Sequence, residues 1–286
     1  MKLAYHGATH MNSDLATDIA VSDRAGYGAL EVWGAKMDSY LADHTPTDLA
    51  ALFARHKVTP TALNSIEFIG FRSAEEYKQI RDRCADLCAL AERIGCHVLV
   101  VVPSPTPSAS AGSVIELNYP WDKVVQEYVT VLRDLGEIAR PHGVKLAFEF
   151  LGFAWCSVRT PRGAHEIIQK AACENVGLNF DACHFYGGGG EISEMDAVDP
   201  GRICTFHLND MEAIPKEAMD DSRRLLPGEG VIPLGTICAH LKGIGYDGLC
   251  SVELFRPEYW AWDPLELAKK ARQASLKVLE PYFKVT

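Results

Sequence analysis

Four short apolar runs in the second half of the chain each carry a side chain that can bind a metal ion. Each run is as long as a buried parallel strand, and its polar residue comes at or near the carboxyl end. A buried carboxylate in such a strand needs a partner, because an unpaired charge away from water is costly. The runs are KLAFEF with Glu149, VGLNFDACH with Asp181 and His184, ICTFHLND with His207, and LCSVELF with Glu253. We predict that Glu149, Asp181, His207 and Glu253 bind one divalent metal ion.

The spacing of these residues is close to one or one and a half units of strand plus helix, which is the repeat of a TIM barrel. In that fold every strand delivers its carboxyl end to the same face, so ligands that are far apart in sequence meet in space. A chain of 286 residues suits one such barrel. No linker or shift in composition indicates a second unit, so we expect one domain over residues 1–286. The predicted fold class is α/β, a single (β/α)₈ TIM barrel.

Strands and helices are predicted to alternate from end to end of the chain. The four apolar runs supply the last four strands, and the first four are predicted over residues 2–7, 29–33, 58–64 and 97–103. Gly26 and Gly95 are predicted to end helices, and Thr45 is predicted to cap one. Long helices are predicted at 74–94, 120–142 and 264–282. Long connections, predicted to lie on the catalytic face, are 104–119, 187–190 and 210–232.

Three carboxylates and one imidazole around a divalent ion suit a neutral, oxygen-rich ligand better than a phosphate. A metal in such a cage can hold a carbonyl and the adjacent hydroxyl of a sugar or polyol. This contact favours removal of the proton between them as an enediolate forms. Glu149 and Glu253 come from strands five and eight, so we expect them to flank the substrate and to act as base and acid as well as ligands. The ligand set favours Mn²⁺, with Co²⁺, Mg²⁺ and Zn²⁺ as alternatives.

Further residues are predicted to reach the same face of the barrel. His184 can donate to a substrate hydroxyl or, alternatively, be a structural residue at the rim. Arg224, in the loop after strand seven, either binds a substrate oxygen or braces that loop through Glu229. His6 and Asn64 end strands one and three and are candidates for substrate binding. The remaining candidates are Asp210 as a support for a ligand side chain, and Trp33, His10, Trp155, Trp260 and Trp262 around the pocket.

Charge and composition argue against several classes of protein. The net charge of −10 lacks the basic footprint of a protein that binds nucleic acid or an anionic membrane. The first residues contain no apolar stretch typical of a secretory signal, and no apolar run is long enough to span a membrane, so a cytoplasmic protein is expected. Nine cysteines without a CxxC pair indicate buried thiols in a reducing compartment. No GxGxxG follows a strand, and the four glycines at 187–190 have the wrong spacing, so no NAD is expected.

The chain resembles the xylose-isomerase-like TIM-barrel superfamily over nearly its whole length, and within it the inosose (2-keto-myo-inositol) isomerases. The resemblance is carried by MKL, YLADHTPTDLAALFARHKVTPTALN, IARPHGVKLAFEFLG, ENVGLNFDACHF, RLLPGEGVIPL and, most specifically, SVELFRPEYW. It implies metal ligands at Glu149, Asp181, His207 and Glu253, with substrate contacts at His184 and Arg224. It also implies a metal-dependent isomerase that interconverts 2-keto-myo-inositol and 1-keto-D-chiro-inositol. The expected partner is a small neutral keto-polyol or keto-sugar, and assembly into a homo-oligomer is left open.

Departures from the superfamily bear on the function. Ketose 3-epimerases carry a glutamate six residues after the first ligand, and this chain has Trp155 there, which argues against such an epimerase. Endonuclease IV needs extra histidines that the ends of strands two to four lack. The segments YHGATH and EVWGAK differ from what is expected of inosose isomerases, which leaves a shift of substrate open. The alternatives are a metal-dependent lyase that performs β-elimination on a 3-keto sugar or 3-keto glycoside, and a non-catalytic sugar-binding barrel.

Overall fold

Eight parallel strands close into a barrel in the computed structural model, which describes residues 1–105, 120–196 and 198–286. Each strand pairs with the next in sequence, and β8 closes the ring against β1. The strands are β1 Lys2–His6, β2 Ala29–Trp33, β3 Thr59–Ile66, β4 Val98–Val101, β5 Lys145–Glu149, β6 Val176–Asp181, β7 Ile203–Leu208 and β8 Leu249–Val252. The predicted TIM barrel is therefore confirmed. Most of the connection predicted at 104–119 lies outside the described residues.

Successive side chains along each strand point alternately to the outside and to the inside of the barrel, and both sides are apolar. On β5, Leu146 and Phe148 belong to the large apolar cluster that joins the barrel to its helices. Ala147, between them, belongs to a separate small cluster with Ala62 of β3. Because successive side chains of a strand point to opposite faces, Glu149 shares the inner face with Ala147. The inner face is thus narrow and apolar along the strands and becomes charged at their carboxyl ends.

The register of the strands brings polar residues of neighbouring strands side by side. Asp181 on β6 pairs with His207 on β7, and His6 on β1 pairs with Glu31 on β2. Glu253 follows β8 directly, and its backbone N–H donates to the last carbonyl of β7 at 3.2 Å. Residues that are distant in sequence therefore form one polar layer at the carboxyl face of the barrel.

Helices surround the barrel, and local signals fix many of their ends. Ser73 and Glu76 form a capping box at the start of α4, and Thr45 begins another at the start of α3. Gly26 and Gly95 end α1 and α4 with φ values of 85° and 74°, as predicted for glycine stops. None of the helices in the described ranges has the length and apolar character needed to cross a bilayer. The helices are α1 Leu15–Ala25, α2 Gly34–Leu41, α3 Pro46–Ala54, α4 Ala74–Ile94, α5 Trp121–Ala139, α6 Pro161–Ala171, α7 Ala182–Gly187, α8 Leu234–Gly243 and α9 Pro264–Leu279.

Several short elements differ from the sequence-based prediction. The helices α2 and α7 follow β2 and β6 directly and are too short to show a clear helical period in the sequence. Asp181 caps α7, because its carboxylate accepts the backbone N–H of His184 at 2.8 Å. In the loop after β7, Asp210–Met211 pairs with Arg224–Leu225 as a small antiparallel sheet. This sheet gives the predicted long connection a fixed path over the barrel mouth.

A buried ion pair anchors the segment that follows β1. Lys36 Nζ lies 2.7 Å from Asp18 Oδ2 and donates to the carbonyls of Gly7 at 2.7 Å and His10 at 2.8 Å. Burial raises the pKa of Asp18 to about 7, although the charge of Lys36 opposes this rise. The pair ties α1 to α2, and Lys36 also holds the turn at residues 7–10 that follows β1.

Candidate metal centre

Glu149, Asp181, His207 and Glu253 lie together at the carboxyl ends of β5, β6, β7 and β8. One ligand atom from each of the four lies within 4.8 Å of the others, and all four side chains are buried. Nδ1 of His207 is at the centre, 3.0 Å from Glu253 Oε2, 3.2 Å from Glu149 Oε1 and 3.7 Å from Asp181 Oδ2. The barrel therefore brings one nitrogen and three oxygen donors to a single point.

These four residues have the donor set and the charge of a divalent cation site. Three buried carboxylates around one imidazole leave an excess of negative charge, which is costly without a cation nearby. Oε1 of Glu149 is buried and accepts no hydrogen bond from the part of the chain that the structure describes. Nδ1 of His207 lies 3.2 Å from this oxygen but makes no hydrogen bond with it, so the oxygen has room for a ligand. Oxygen donors with a single histidine nitrogen suit Mn²⁺, Mg²⁺, Co²⁺ or Zn²⁺.

The carboxylates around His207 keep its imidazole basic. Burial alone would lower the pKa of His207, but the charges of Glu253, Glu31 and Glu149 outweigh burial and hold the pKa well above its usual range. The protonated ring offsets part of the negative charge of the cluster. A metal ion at Nδ1 would take over this role, because a coordinating histidine must give up its proton there.

Glu149 and Glu253 differ in how readily they accept a proton. Burial raises the pKa of Glu149 to about 8, because it outweighs the opposing charge of His207. Burial acts in the same direction on Glu253, but His207, His6 and Arg224 together hold the pKa of Glu253 well below its usual range. Two carboxylates whose pKa values move apart are typical of an acid–base pair. A bound cation would lower both pKa values, since it favours the charged form of each.

Arg224 reaches the centre from the loop after β7 and is only 1% exposed. Its Nη1 lies 2.8 Å from Asp181 Oδ2 and 2.8 Å from Glu253 Oε2. Its Nε and Nη2 contact the carboxylate of Asp221 at 2.8 and 2.7 Å, and Nη2 lies 3.2 Å from Nε2 of His184. One guanidinium thus orients two of the candidate metal ligands and one histidine beside them.

His184 lines the cavity above the cluster, next to Phe153. The two rings meet edge to face with centroids 4.8 Å apart. Burial lowers the pKa of His184 and so favours the neutral ring. Arg224 can only donate, so Nε2 of His184 accepts and the ring proton resides on Nδ1. Nδ1 is buried and has no partner among the described residues, so it is free to donate to a hydroxyl of a ligand.

Glu31 of β2 is a fully buried carboxylate behind the cluster, and the sequence analysis does not single it out. Both of its oxygens lie 3.0 Å from Nε2 of His207, and Oε1 also accepts from Asn64 Nδ2 at 3.1 Å. His6 Nε2 lies 3.5 Å from Oε1 of Glu31 and 3.1 Å from Oε1 of Glu253. Burial alone would raise the pKa of Glu31, but His207 and His6 hold it well below its usual range. His6, predicted to contact substrate, is fully buried in this layer, whereas Asn64 also lines the cavity.

Asn209 is a second residue that the sequence analysis does not single out. Its Nδ2 donates to Asp181 Oδ2 at 2.9 Å, and its Oδ1 accepts the backbone N–H of Cys183 at 2.9 Å. Asp210, predicted to support a ligand, turns away from the cluster and organises the loop after β7 instead. Its carboxylate accepts backbone N–H groups of Gly228 at 3.0 Å, Gly230 at 2.9 Å and Ile232 at 2.9 Å. The segment HLND therefore directs His207 and Asn209 to the centre and Asp210 to the loop.

A cavity of about 170 Å³ opens over the cluster. Its volume suits a ligand of one ring rather than a dinucleotide. Phe153 and Trp155 stack in its wall with centroids 5.3 Å apart. The polar part of the lining is Asn64, Ser65, Glu67, Glu149, His184, Asp221, Arg224 and Glu253, and the apolar part is Trp33, Phe68, Val102, Leu151, Phe153, Trp155 and Phe255.

Other predicted residues lie elsewhere. His10 Nε2 is 3.0 Å from the carbonyl of Trp262, and the carbonyl of Trp260 accepts from Asn12 at 3.0 Å. None of these three predicted residues belongs to the cavity lining that the structure describes. Glu229, the predicted brace for Arg224, is exposed on the loop. Of the predicted pocket aromatics, Trp33 and Trp155 do line the cavity.

Comparison with known proteins relates the whole chain to one group. A family model described as xylose isomerase-like TIM barrel matches residues 19–280. An inosose isomerase of Halalkalibacterium halodurans is 35% identical over 285 residues, which cover 99% of this chain and 98% of the relative. An inosose isomerase of Bacillus subtilis is 33% identical over 285 residues, which cover 99% of each.

Solved structures agree with this grouping. The 1.8 Å crystal structure of the IOLI protein with a binding zinc atom is 33% identical, with a TM-score of 0.93, and the match covers 99% of this chain and 100% of that one. A D-psicose 3-epimerase of Clostridium cellulolyticum is 18% identical, with a TM-score of 0.75 over 99% of each chain. At that identity the likeness to the epimerase concerns the fold alone.

Proposed function

Because the chain belongs to the xylose isomerase-like TIM-barrel family, we propose that it is a metal-dependent isomerase of keto-inositols. It interconverts 2-keto-myo-inositol and 1-keto-D-chiro-inositol by moving a proton between neighbouring carbons. The observation that carries the proposal is the convergence of Glu149, Asp181, His207 and Glu253 at the barrel mouth. Alignment over 99% of the chain with an inosose isomerase supports the choice of substrate.

Glu149, Asp181, His207 and Glu253 are the residues that would hold the metal ion. When bound, the ion supplies a Lewis acid for a carbonyl and an adjacent hydroxyl of the substrate. Glu149 and Glu253 approach this point from β5 and β8. One carboxylate takes the proton from the hydroxyl-bearing carbon and the other returns a proton to the former carbonyl carbon, while the hydroxyl proton passes between the two oxygens. The opposite displacement of their pKa values supports this division of work.

The cavity supplies contacts for a ring that carries several hydroxyl groups. We assign His184 Nδ1 as a donor to one hydroxyl, and Asn64 as a further contact from β3. Arg224 orients Asp181 and Glu253 and borders the cavity, so a substrate oxygen can also reach its guanidinium. The carboxylates of Glu67 and Asp221 can accept hydrogen bonds from hydroxyls, and the aromatic walls cover the apolar faces of the ring. His6 we assign to positioning Glu253, because it is fully buried.

The remaining assignments follow from the ligand set and the composition. We propose Mn²⁺ as the native ion, since a set of two glutamates, one aspartate and one histidine suits it, with Zn²⁺, Co²⁺ and Mg²⁺ as alternatives. Zinc in the structure of the IOLI protein supports a divalent ion in this barrel. Residues 1–286 are proposed to form one domain of a cytoplasmic protein. Neither NAD nor nucleic acid is proposed as a ligand.

Incubation of the Mn²⁺-loaded protein with 2-keto-myo-inositol should produce 1-keto-D-chiro-inositol, which NMR of the reaction mixture would detect. A panel with a 3-keto glycoside and D-tagatose tests the alternatives in the same way. Release of an aglycone, or an unsaturated product, would identify a lyase. Inversion of D-tagatose at carbon 3 would identify an epimerase, which the apolar Trp155 in the cavity wall argues against. Conversion of none of these compounds would exclude all three reactions.

We further predict that phosphorylated substrates are turned over poorly. Arg224 is a cation of the described lining, and its donors are already engaged by carboxylates. Arg256, nearby in the loop after β8, is paired with Glu212 at 2.6 Å and Glu258 at 3.3 Å. A phosphate group would therefore meet the carboxylates of the cavity without an unpaired cation in the described lining. We expect kcat/KM for an inosose phosphate to be on the order of tenfold or more below that of the free inosose.

An O-methyl inosose separates charge from bulk in this comparison. If charge repulsion lowers kcat/KM for the phosphate, the methyl ether should have a higher kcat/KM than the phosphate. Asp221→Asn should then reduce the difference in kcat/KM between the phosphate and the free inosose. A phosphate with a higher kcat/KM than its free sugar would contradict the prediction.

A further inference from the structure

Glu31 is a buried carboxylate that connects to the candidate metal centre through two histidines. It lies on the inner face of β2 and is fully buried. Burial of a carboxylate is costly unless several donors compensate it. Its donors come from two other strands, namely Asn64 of β3 and His207 of β7, and Nε2 of His6 on β1 lies 3.5 Å from Oε1. His207 is itself a candidate metal ligand, and His6 contacts the candidate ligand Glu253.

The contact with His207 decides which ring nitrogen faces the cluster. Both oxygens of Glu31 lie 3.0 Å from Nε2 of His207, and Oε1 also accepts from Asn64, so this carboxylate acts as the acceptor toward His207. Nε2 must then carry the ring proton. In a neutral imidazole the other nitrogen is unprotonated, and Nδ1 is the atom that points at Glu149 and Glu253. Carboxylate contact at one nitrogen thus prepares the other as a metal ligand.

The contact with His6 extends the same arrangement to Glu253. Nδ1 of His6 accepts the backbone N–H of Ala8 at 3.0 Å, so the ring N–H of His6 is on Nε2. That nitrogen faces both Glu253 and Glu31, at 3.1 and 3.5 Å. Glu31 therefore lies between two histidines, and each histidine contacts the ligand cluster on its other side.

We propose that Glu31 is a positioning residue of the metal centre, which fixes the Nε2–H tautomer of His207 and so presents Nδ1 to the metal ion. The inference rests on the proposed function, because it requires His207 to be a ligand. Both oxygens of Glu31 face donors, so an amide at this position has no place for its NH₂ group. In Glu31→Gln, that NH₂ group must oppose Asn64 or Nε2 of His207, and in the second case it favours the tautomer with the proton on Nδ1.

The first test uses the unaltered full chain loaded with Zn²⁺ and labelled with ¹⁵N at histidine. We expect the nitrogen shifts of His207 to show a metal-bound Nδ1 and a protonated Nε2, with the Nε2 proton protected from exchange with solvent. Coordination through Nε2 would overturn the proposal. This measurement needs no variant and does not depend on whether Glu31→Gln folds.

The second test measures Zn²⁺ affinity by competition with a chromophoric chelator. We expect Glu31→Gln to bind Zn²⁺ about 10- to 100-fold more weakly than the unaltered chain. Glu31→Asp keeps the charge but shortens the reach, so its affinity should fall between the two. Asp18→Asn is the matched control, because it also converts a buried carboxylate to an amide but contacts Lys36 rather than His207. Its Zn²⁺ affinity should equal that of the unaltered chain.

The outcomes separate this inference from the proposed function. Equal Zn²⁺ affinity of Glu31→Gln and the unaltered chain would overturn the role of Glu31 alone. An equal loss in Asp18→Asn would assign the effect to general destabilisation and would also overturn that role. Failure of the unaltered chain to bind Zn²⁺ would overturn both the inference and the proposed function.

Discussion

Replacing Glu149 or Glu253 by glutamine should lower kcat by about 10²-fold or more, with a much smaller change in KM. Glutamine keeps the length of the side chain and one oxygen that can coordinate a metal ion. It cannot accept or return a proton in the transition state, so the loss should appear in kcat. Steady-state kinetics with 2-keto-myo-inositol, followed by NMR, would measure it. Metal content must be determined on the same samples, because both glutamates are also proposed ligands.

Glu229→Gln provides the control for this pair of variants. Glu229 is exposed on the loop after β7, so Glu229→Gln replaces a glutamate by glutamine outside the cavity. Its kinetics should match those of the unaltered protein. If Glu149→Gln or Glu253→Gln retains a full complement of metal and a near-normal kcat, the two-glutamate mechanism is wrong.

Turnover in D₂O should place deuterium on a carbon next to the carbonyl, and removal of the metal ion should abolish both exchange and turnover. The carboxylate that protonates the former carbonyl carbon is not the one that removed the proton, so the proton that it supplies can come from solvent. The carbonyl is activated by the ion, so a chelator such as EDTA should reduce activity to the background rate. NMR or mass spectrometry of the recovered inososes would measure the incorporation.

Restoring Mn²⁺ after chelation provides the control, because it should recover both exchange and turnover. The experiment is run without any added nicotinamide. Activity that survives complete removal of metal, or that requires added NAD, would contradict the proton-transfer mechanism.

The barrel and the convergence of Glu149, Asp181, His207 and Glu253 could be predicted from the sequence because their signals are local. Each ligand follows or ends a short apolar run, and in a parallel barrel all such ends lie on one face. Helix ends at Thr45, Gly26 and Gly95 are also set by neighbouring residues. The prediction therefore needed the order of the elements but no knowledge of their contacts.

Residues whose function depends on distant contacts were harder to find. Glu31 lies in the middle of the strand run ALEVW, and its partner His207 is 176 residues away. The available signal was the charge of Glu31 in an apolar strand, two residues before Trp33 and on the same face as Trp33. The partners of Arg224 depend on the path of the loop after β7, which Asp210 fixes through backbone N–H groups. Nothing near Arg224 in the sequence specifies that path.

The position of Arg224 has a consequence for how the protein is made. Several carboxylates at one end of a barrel repel one another, and in small metal-binding domains this kind of conflict makes folding wait for the ion. Here the guanidinium draws Asp181 and Glu253 together from within the chain. We therefore expect the chain to reach its native fold without a metal ion, so that metal binding follows folding instead of driving it.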